Sequence, residues 1–185
     1  MKPGRTRLQI QAQTKVLAGK VAQKLLETST HLVLAESCTG GLIAALLIQT
    51  PGISQVFAGS FVVYQKESKT AWLGLKKSIF TRAPDGVSKE ISEHLAKTAL
   101  KKTKAANLSL GITGRLGPAT DGEVWISIAS RQRLPLKSNE PAKSKRLLLK
   151  GPKNRLSRSI RETHQWLAAE AALEILRQAI RYRIY

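Results

Sequence analysis

The stretch His31-Leu32-Val33-Leu34-Ala35-Glu36-Ser37-Cys38-Thr39-Gly40-Gly41-Leu42-Ile43-Ala44-Ala45-Leu46-Leu47 decides the fold. An apolar run halts at a short polar segment, and after two glycines an apolar pattern with helical spacing begins. This reads as strand, tight turn and helix N-terminus. Such a junction aims several backbone N–H groups at one spot, and the positive end of a helix dipole adds to them. Ser37 and Thr39 bring hydroxyls to the same spot, and Thr39 also suits the N-cap position. The stretch therefore predicts a site able to hold an anion and to carry a nucleophile.

Working outward, Val16, Leu17, Val21, Leu25 and Leu26 recur at helical spacing and predict a first helix over about 8–26. The first strand is expected at His31–Ala35 and the second helix at about 40–49, ended by Thr50-Pro51-Gly52. Ser60–Tyr64 reads as a buried strand. A short helix, Glu67–Leu73, follows it and closes on Gly74. Ser88 caps a helix over about 89–104. Leu108–Thr113 and Val124–Ala129 are strands, Lys145–Lys150 reads as a lysine-protected edge strand, and a long final helix starts at Asn154 or Ser157. Strands alternating with helices predict a three-layer α/β/α sandwich with a mainly parallel or mixed sheet. In such sheets ligands sit at the carboxyl ends of the strands, so the loops Glu36–Gly41, Tyr64–Lys69 and Thr113–Gly117 should meet.

A chain of 185 residues is expected to form one domain over 1–185, with a flexible N-terminus at 1–8 and a basic loop at 131–145. Its 31 Lys and Arg against 12 Asp and Glu give a net charge of +19, which attracts anions such as nucleic acid, phosphorylated metabolites or anionic lipid. Nucleic acid is the weaker expectation, because few aromatic residues interleave the basic stretch between Arg131 and Arg161. The single cysteine, Cys38, forms no intrachain disulfide, and a cytoplasmic home is expected. No apolar run approaches the roughly 20 residues that span a bilayer, so no membrane partner is expected. A homo-oligomer is compatible with everything read here.

A serine nucleophile needs a base. His31 lies at the wrong end of its strand, and His94 and His164 lie within helices, so a Ser-His-Asp triad is disfavoured. A lysine serves instead if burial leaves some of its amine neutral. Lys66 and Lys69 both follow the Ser60–Tyr64 strand, and Lys69 faces back toward the strand's end; each also reads as an ordinary solvated cation. Tyr64 stands where it could orient a proton. Thr113 and Gly114 offer a backbone and a hydroxyl for an oxyanion or a sugar, or are a plain strand-to-loop turn. Glu36 anchors the lysine or a ribose, or caps the turn. Cys38 is an alternative nucleophile or a packing thiol. No ligand spacing for a metal and no glycine-rich nucleotide fingerprint is present.

With these residues in place, the chain resembles the CinA C-terminal domain family, the nicotinamide-nucleotide amidases. The matching stretches are Ala35–Gly41, Pro51-Gly52-Ile53-Ser54, Val63-Tyr64 through Lys69, Val87-Ser88, Thr113-Gly114, Gly117-Pro118 and Val124-Trp125-Ile126, in the family's order over about 10–180. The resemblance implies a three-layer fold and hydrolysis of nicotinamide mononucleotide to nicotinic acid mononucleotide and ammonia, with no metal or cofactor. It implies that Ser37 is the nucleophile and Lys69 its base, with Tyr64, Thr39, Gly40, Gly41 and Thr113 lining the site. The family's larger members add an N-terminal pterin-binding-like domain; a stand-alone form is expected here. Departures fall on the substrate-lining loops. Arg115-Leu116 replaces a small pair, the following segment shrinks to Ala119-Thr120-Asp121-Gly122, and Glu123 stands where threonine is usual. Arg115 is thus expected either to meet a substrate phosphate or to block the pocket. The alternatives to an amidase are a degenerate member that binds a nucleotide or partner, and a basic nucleic-acid-associated protein.

Overall fold

A computed structural model of the chain describes residues 5–117, 120, 122–131, 142–149 and 157–180. The elements in chain order are α1 (Arg7–Glu27), β1 (Leu32–Glu36), α2 (Leu42–Leu47), a 3-10 turn (Ile53–Gln55), β2 (Phe57–Val62), α3 (Lys66–Leu73), α4 (Ile79–Arg82), α5 (Lys89–Lys102), β3 (Leu108–Gly114), β4 (Glu123–Ser130), β5 (Ala142–Leu148) and α6 (Ser157–Ala179). The strands form one mixed sheet in the order β2-β1-β3-β4-β5. β2, β1 and β3 run parallel, and β4 and β5 return antiparallel.

Chain direction across the sheet reverses at β1: α2 leads outward to β2, and α3 to α5 lead back past β1 to β3. Right-handed crossovers in opposite directions put their helices on opposite faces. Period-two alternation in β1 matches this. Leu32 and Leu34 pack into the core shared with α1, α2 and α6, while Val33 and Ala35 pack into the core formed with α3 and α5. The result is the expected α/β/α sandwich, with β1 buried on both faces.

Several boundaries differ from the sequence reading. β2 begins three residues earlier, at Phe57, because pairing with β1 recruits Ala58 and Gly59 across an irregular register step between Leu32 and Val33. α4 is a single turn with no amphipathic stripe to announce it. The edge strand β5 starts at Ala142, so it takes in the end of the expected 131–145 loop. Residues 132–141 of that loop lie outside the described residues, as do residues 1–4 of the expected flexible N-terminus. Residues 5–8, in contrast, are held. Arg5 makes a two-pronged ion pair with Glu170 at 2.6 and 2.8 Å, Arg7 pairs with Glu162, and Thr6 with Gln9 forms a capping box on α1.

Gly111 sets the spacing between β3 and α5. A Cβ there would stand 2.5 Å from the Ser92 carbonyl and 2.6 Å from the Ala96 nitrogen, both helix backbone that has nowhere to move. Gly111→Ala is expected to destabilise the fold by about 1–3 kcal/mol through overpacking, read as a lower urea midpoint.

Candidate active site

The parallel strands β1, β2 and β3 end on one edge of the sheet, and the loops leaving them converge as anticipated. Ser37 N–H donates to the Ile112 carbonyl at 3.1 Å, which binds the β1 loop to β3. The Cys38 sulfur lies 3.2 Å from where a Cβ on Gly114 would stand, and Val62 lies 3.4 Å from the same point on Gly41. Thr113 donates its hydroxyl to the Gly86 carbonyl at 2.8 Å, and the Lys69 ammonium lies 4.0 Å from the Cβ position of Gly86. Contacts thus run from Ser37 through β3 and the Asp85–Gly86 turn to Lys69.

The loop takes its shape from Glu36. This carboxylate is fully buried, and it accepts hydrogen bonds from the Thr39 hydroxyl (2.8 Å), the N–H groups of Gly41 (3.1 Å), Ile43 (3.1 Å) and Ala44 (3.0 Å), and the Ser60 hydroxyl (3.2 Å). The positive φ of Gly40 (62°) and Gly41 (93°) turns those N–H groups inward. This arrangement decides three expectations. Of the parts expected for Glu36 it shows the turn cap: the anion at the start of α2 is the protein's own carboxylate, which meets the helix rather than a substrate or the lysine. Thr39 is not the N-cap, which falls on Gly41, and its hydroxyl proton serves Glu36. Gly40 and Gly41 shape the turn; Gly41 N–H is already taken.

Lys69 sits on the first turn and a half of α3 with only 3% of its surface exposed, and its ammonium donates to the Tyr64 carbonyl at 2.8 Å. Burial pushes its pKa down from 10.5 to about 8, opposed by the Glu67 carboxylate and helped by Lys66. An amine of that kind is available as a base near neutral pH. Ser37 is buried, and no hydrogen bond to its hydroxyl forms among the described residues. Burial drives the Cys38 thiol up to about 12, which leaves it a packing group and removes it as a nucleophile.

Other expected residues take different parts. Tyr64 presents its backbone, not its phenol, to Lys69; the residue is 58% exposed, and its hydroxyl accepts from Arg161 at 2.5 Å. It is therefore no proton relay between serine and lysine. The buried Thr113 gives its one hydroxyl proton to Gly86, which leaves none for an oxyanion. Gly114 is needed for packing, since a Cβ would fall 2.7 Å from the Glu123 carbonyl. Arg115 pairs with Asp85 at 2.5 Å and with Glu123, so its charge is met by two carboxylates of the protein. Arg161, near the start of α6, was missed by sequence reasoning. It stands over the Tyr64 ring at 6.0 Å and acts electrostatically on Cys38, but in sequence it is one of many cations in a basic run. The three histidines bond to carbonyls of Ser29, Leu73 and Leu116, and none takes part in the contacts that join Ser37 to Lys69.

Comparison with known proteins gives this geometry a lineage. The sequence pattern of the CinA C-terminal domain matches residues 14–180. The chain belongs to the CinA C-terminal domain family. This CinA domain is 30% identical over 171 residues to a CinA-like protein of Myxococcus xanthus, covering 89% of the chain and 37% of that relative. It is 31% identical over 166 residues to a putative competence-damage inducible protein of Alkaliphilus oremlandii, covering 86% of the chain and 36% of that relative. The chain thus spans a little over a third of the length of these curated relatives. Among solved structures, a competence-damaged protein (CinA) superfamily protein from Escherichia coli shares the fold with a TM-score of 0.74 at 24% identity, over 89% of each chain. A competence/damage inducible protein from Agrobacterium tumefaciens does so with a TM-score of 0.71 at 24% identity, over 95% of this chain and 97% of that one.

Two outcomes follow from the geometry. Glu36→Gln turns an amide NH2 toward N–H donors, and a stability loss of about 3 kcal/mol is expected from denaturant titration. Lys69→Met acts in the opposite sense. The depressed amine pKa costs the fold about 2 kcal/mol at neutral pH once screening by nearby solvent is allowed for, and that cost fades as pH rises from about 8 to 10.5. The variant is therefore expected to be about 1–2 kcal/mol more stable at pH 7, allowing for the lost hydrogen bond, and to lose that advantage toward pH 10.5.

Proposed function

We propose that this domain is an amidase that hydrolyses the carboxamide of nicotinamide mononucleotide to the carboxylate and ammonia, with Ser37 as nucleophile and Lys69 as its base. The observation that carries the reading is Lys69 itself: a buried lysine, with a pKa lowered to about 8, beside the loop that holds a buried serine. Burying a cation is costly, and fold stability gives no reason to keep one there.

In this mechanism the neutral Lys69 amine takes the Ser37 proton as the serine oxygen attacks the carboxamide carbon. The oxyanion forms next to the N–H group of Thr39, which has no hydrogen-bond partner among the described residues. The Lys69 ammonium returns its proton to the departing nitrogen, the C–N bond breaks and ammonia leaves. Water, deprotonated by the same amine, then attacks the serine ester; the C–O bond breaks and Ser37 recovers its proton. Arg161, bonded to the exposed Tyr64 hydroxyl, and the net charge of +19 favour a phosphorylated substrate. The choice of nicotinamide mononucleotide rests on the resemblance of the Ala35–Gly41, Tyr64–Lys69 and Val124–Ile126 stretches to the family.

A binding domain without turnover is the second reading, favoured by the occupied Thr113 hydroxyl and the paired Arg115. Ammonia release from nicotinamide mononucleotide separates the two. Release is expected, falling at least a thousandfold in Ser37→Ala and in Lys69→Ala. Since the neutral amine is the active form, kcat/KM should rise about tenfold per pH unit below 8 and level off above it. An unchanged rate in either variant overturns the dyad, and ligand-induced stabilisation without turnover establishes the second reading.

A further inference from the structure

We propose that the ion pair between Arg115 and Asp85 holds the Asp85–Gly86 turn down over Lys69 and keeps water from its amine. Arg115 and Asp85 are then positioning residues for the base. The inference rests on Lys69 being the base of the proposed reaction, but its test does not require turnover.

Two alternate residues at the end of β3 grip two adjacent residues of the turn. The Thr113 hydroxyl donates to the Gly86 carbonyl at 2.8 Å, and Arg115 Nη1 donates to Asp85 Oδ2 at 2.5 Å. Strand pairing continues to Arg115, whose N–H donates to the Glu123 carbonyl at 2.8 Å, so both side chains leave a fixed backbone. Gly86 is buried, holds φ at 74°, and stands against Lys69 with its Cβ position 4.0 Å from the ammonium. The turn is the roof of the amine.

An exposed ion pair alone would be a weak fastening. This one is anchored from behind. Glu123 is 8% exposed at its side chain, binds Arg115, and also accepts from Arg146 Nε at 2.6 Å and Trp125 Nε1 at 3.0 Å. The guanidinium is thus largely ordered before it meets Asp85, which lowers the entropic cost of the second pair. Arg115 and Glu123 are also two of the departures from the family's pattern noted between β3 and β4.

The groups facing Lys69 give the test its sign. Lys66 and Glu67 lie on its own helix, Cys38 faces it from the β1 loop, and Asp85 sits on the roof with Arg115 behind it. By direct charge alone, removing Arg115 would raise the Lys69 pKa and removing Asp85 would lower it. If the pair acts by holding the roof closed, removing either one admits water and raises it.

Lys69 is titrated through its 13Cε resonance in the lysine-labelled 185-residue chain, with the peak assigned by its loss in Lys69→Met. Arg115→Gln and Asp85→Asn are each expected to move the midpoint from about 8 upward by about one pH unit, and Arg115→Lys should move it less. Asn at 85 preserves an acceptor for the Val87 N–H, bonded to Asp85 Oδ1 at 3.2 Å, so the turn's own geometry is kept. A downward or absent shift in Asp85→Asn overturns the proposal, as does an unmoved midpoint in Arg115→Gln. If the midpoints move as expected while no ammonia is released, the roof stands and the amidase reading falls; release with unmoved midpoints gives the converse.

Discussion

Glu36 carries a negative charge to the end of a strand buried on both faces, where no water reaches it. An unpaired carboxylate there would cost several kcal/mol. The five donors that meet it come from the turn, from the first residues of α2 and from β2. A six-residue helix is too short to hold itself together, and α2 has no side-chain cap at Gly41. The buried anion replaces that cap and complements the positive end of the short helix. It also ties β1 to β2 through Ser60. Ser37 follows directly, so the nucleophile candidate stands on a backbone fixed by an electrostatic bond rather than on a loop free to wander.

The second charge of the site is unfavourable in the same environment. Glu36 is buried and fully bonded, whereas Lys69 is buried with a single carbonyl acceptor among the described residues. The two differ in purpose. A satisfied anion organises the loop; a poorly solvated amine is a better base because it is poorly solvated. The sheet supports both at once. Reversal of chain direction at β1 sends α2 to one face and α3 to the other, so Glu36 is clamped from one layer and Lys69 arrives from the opposite one. Stability is surrendered at Lys69 and recovered in the two cores, which hold the strand ends that position it.

Much of this was legible in the sequence because it is written in local patterns. The strand-turn-helix at His31–Leu47 carries its own periodicity and glycines, and α1, α5, β3 and β4 came within about two residues of their observed bounds. Lys69 was legible because helix spacing from the end of a strand fixes its direction. What could not be read was pairing. The start of β2 depends on its register with β1, and α4 has too few residues to show a period. The partner of Glu36 is the same helix N-terminus that the sequence offered to an external anion. Nothing in the order of residues says which anion gets there first; proximity within the folded chain does.

The same limit explains Arg115 and Glu123. Read along the chain they are two separate departures from the family's pattern, one an added cation and one an added anion in a loop that lines the site. In the fold they meet just beyond the Gly114–Val124 pair that ends the β3–β4 ladder and neutralise each other, with Arg146 and Trp125 completing the set around Glu123. Each also has a second partner of opposite charge, Asp85 for Arg115 and Arg146 for Glu123, so the four side chains form one run of ion pairs. Together they build a brace that extends to Asp85 and so to the turn above Lys69. A loop that looks degraded when its residues are compared singly is, by its contacts, a differently built wall of the same site.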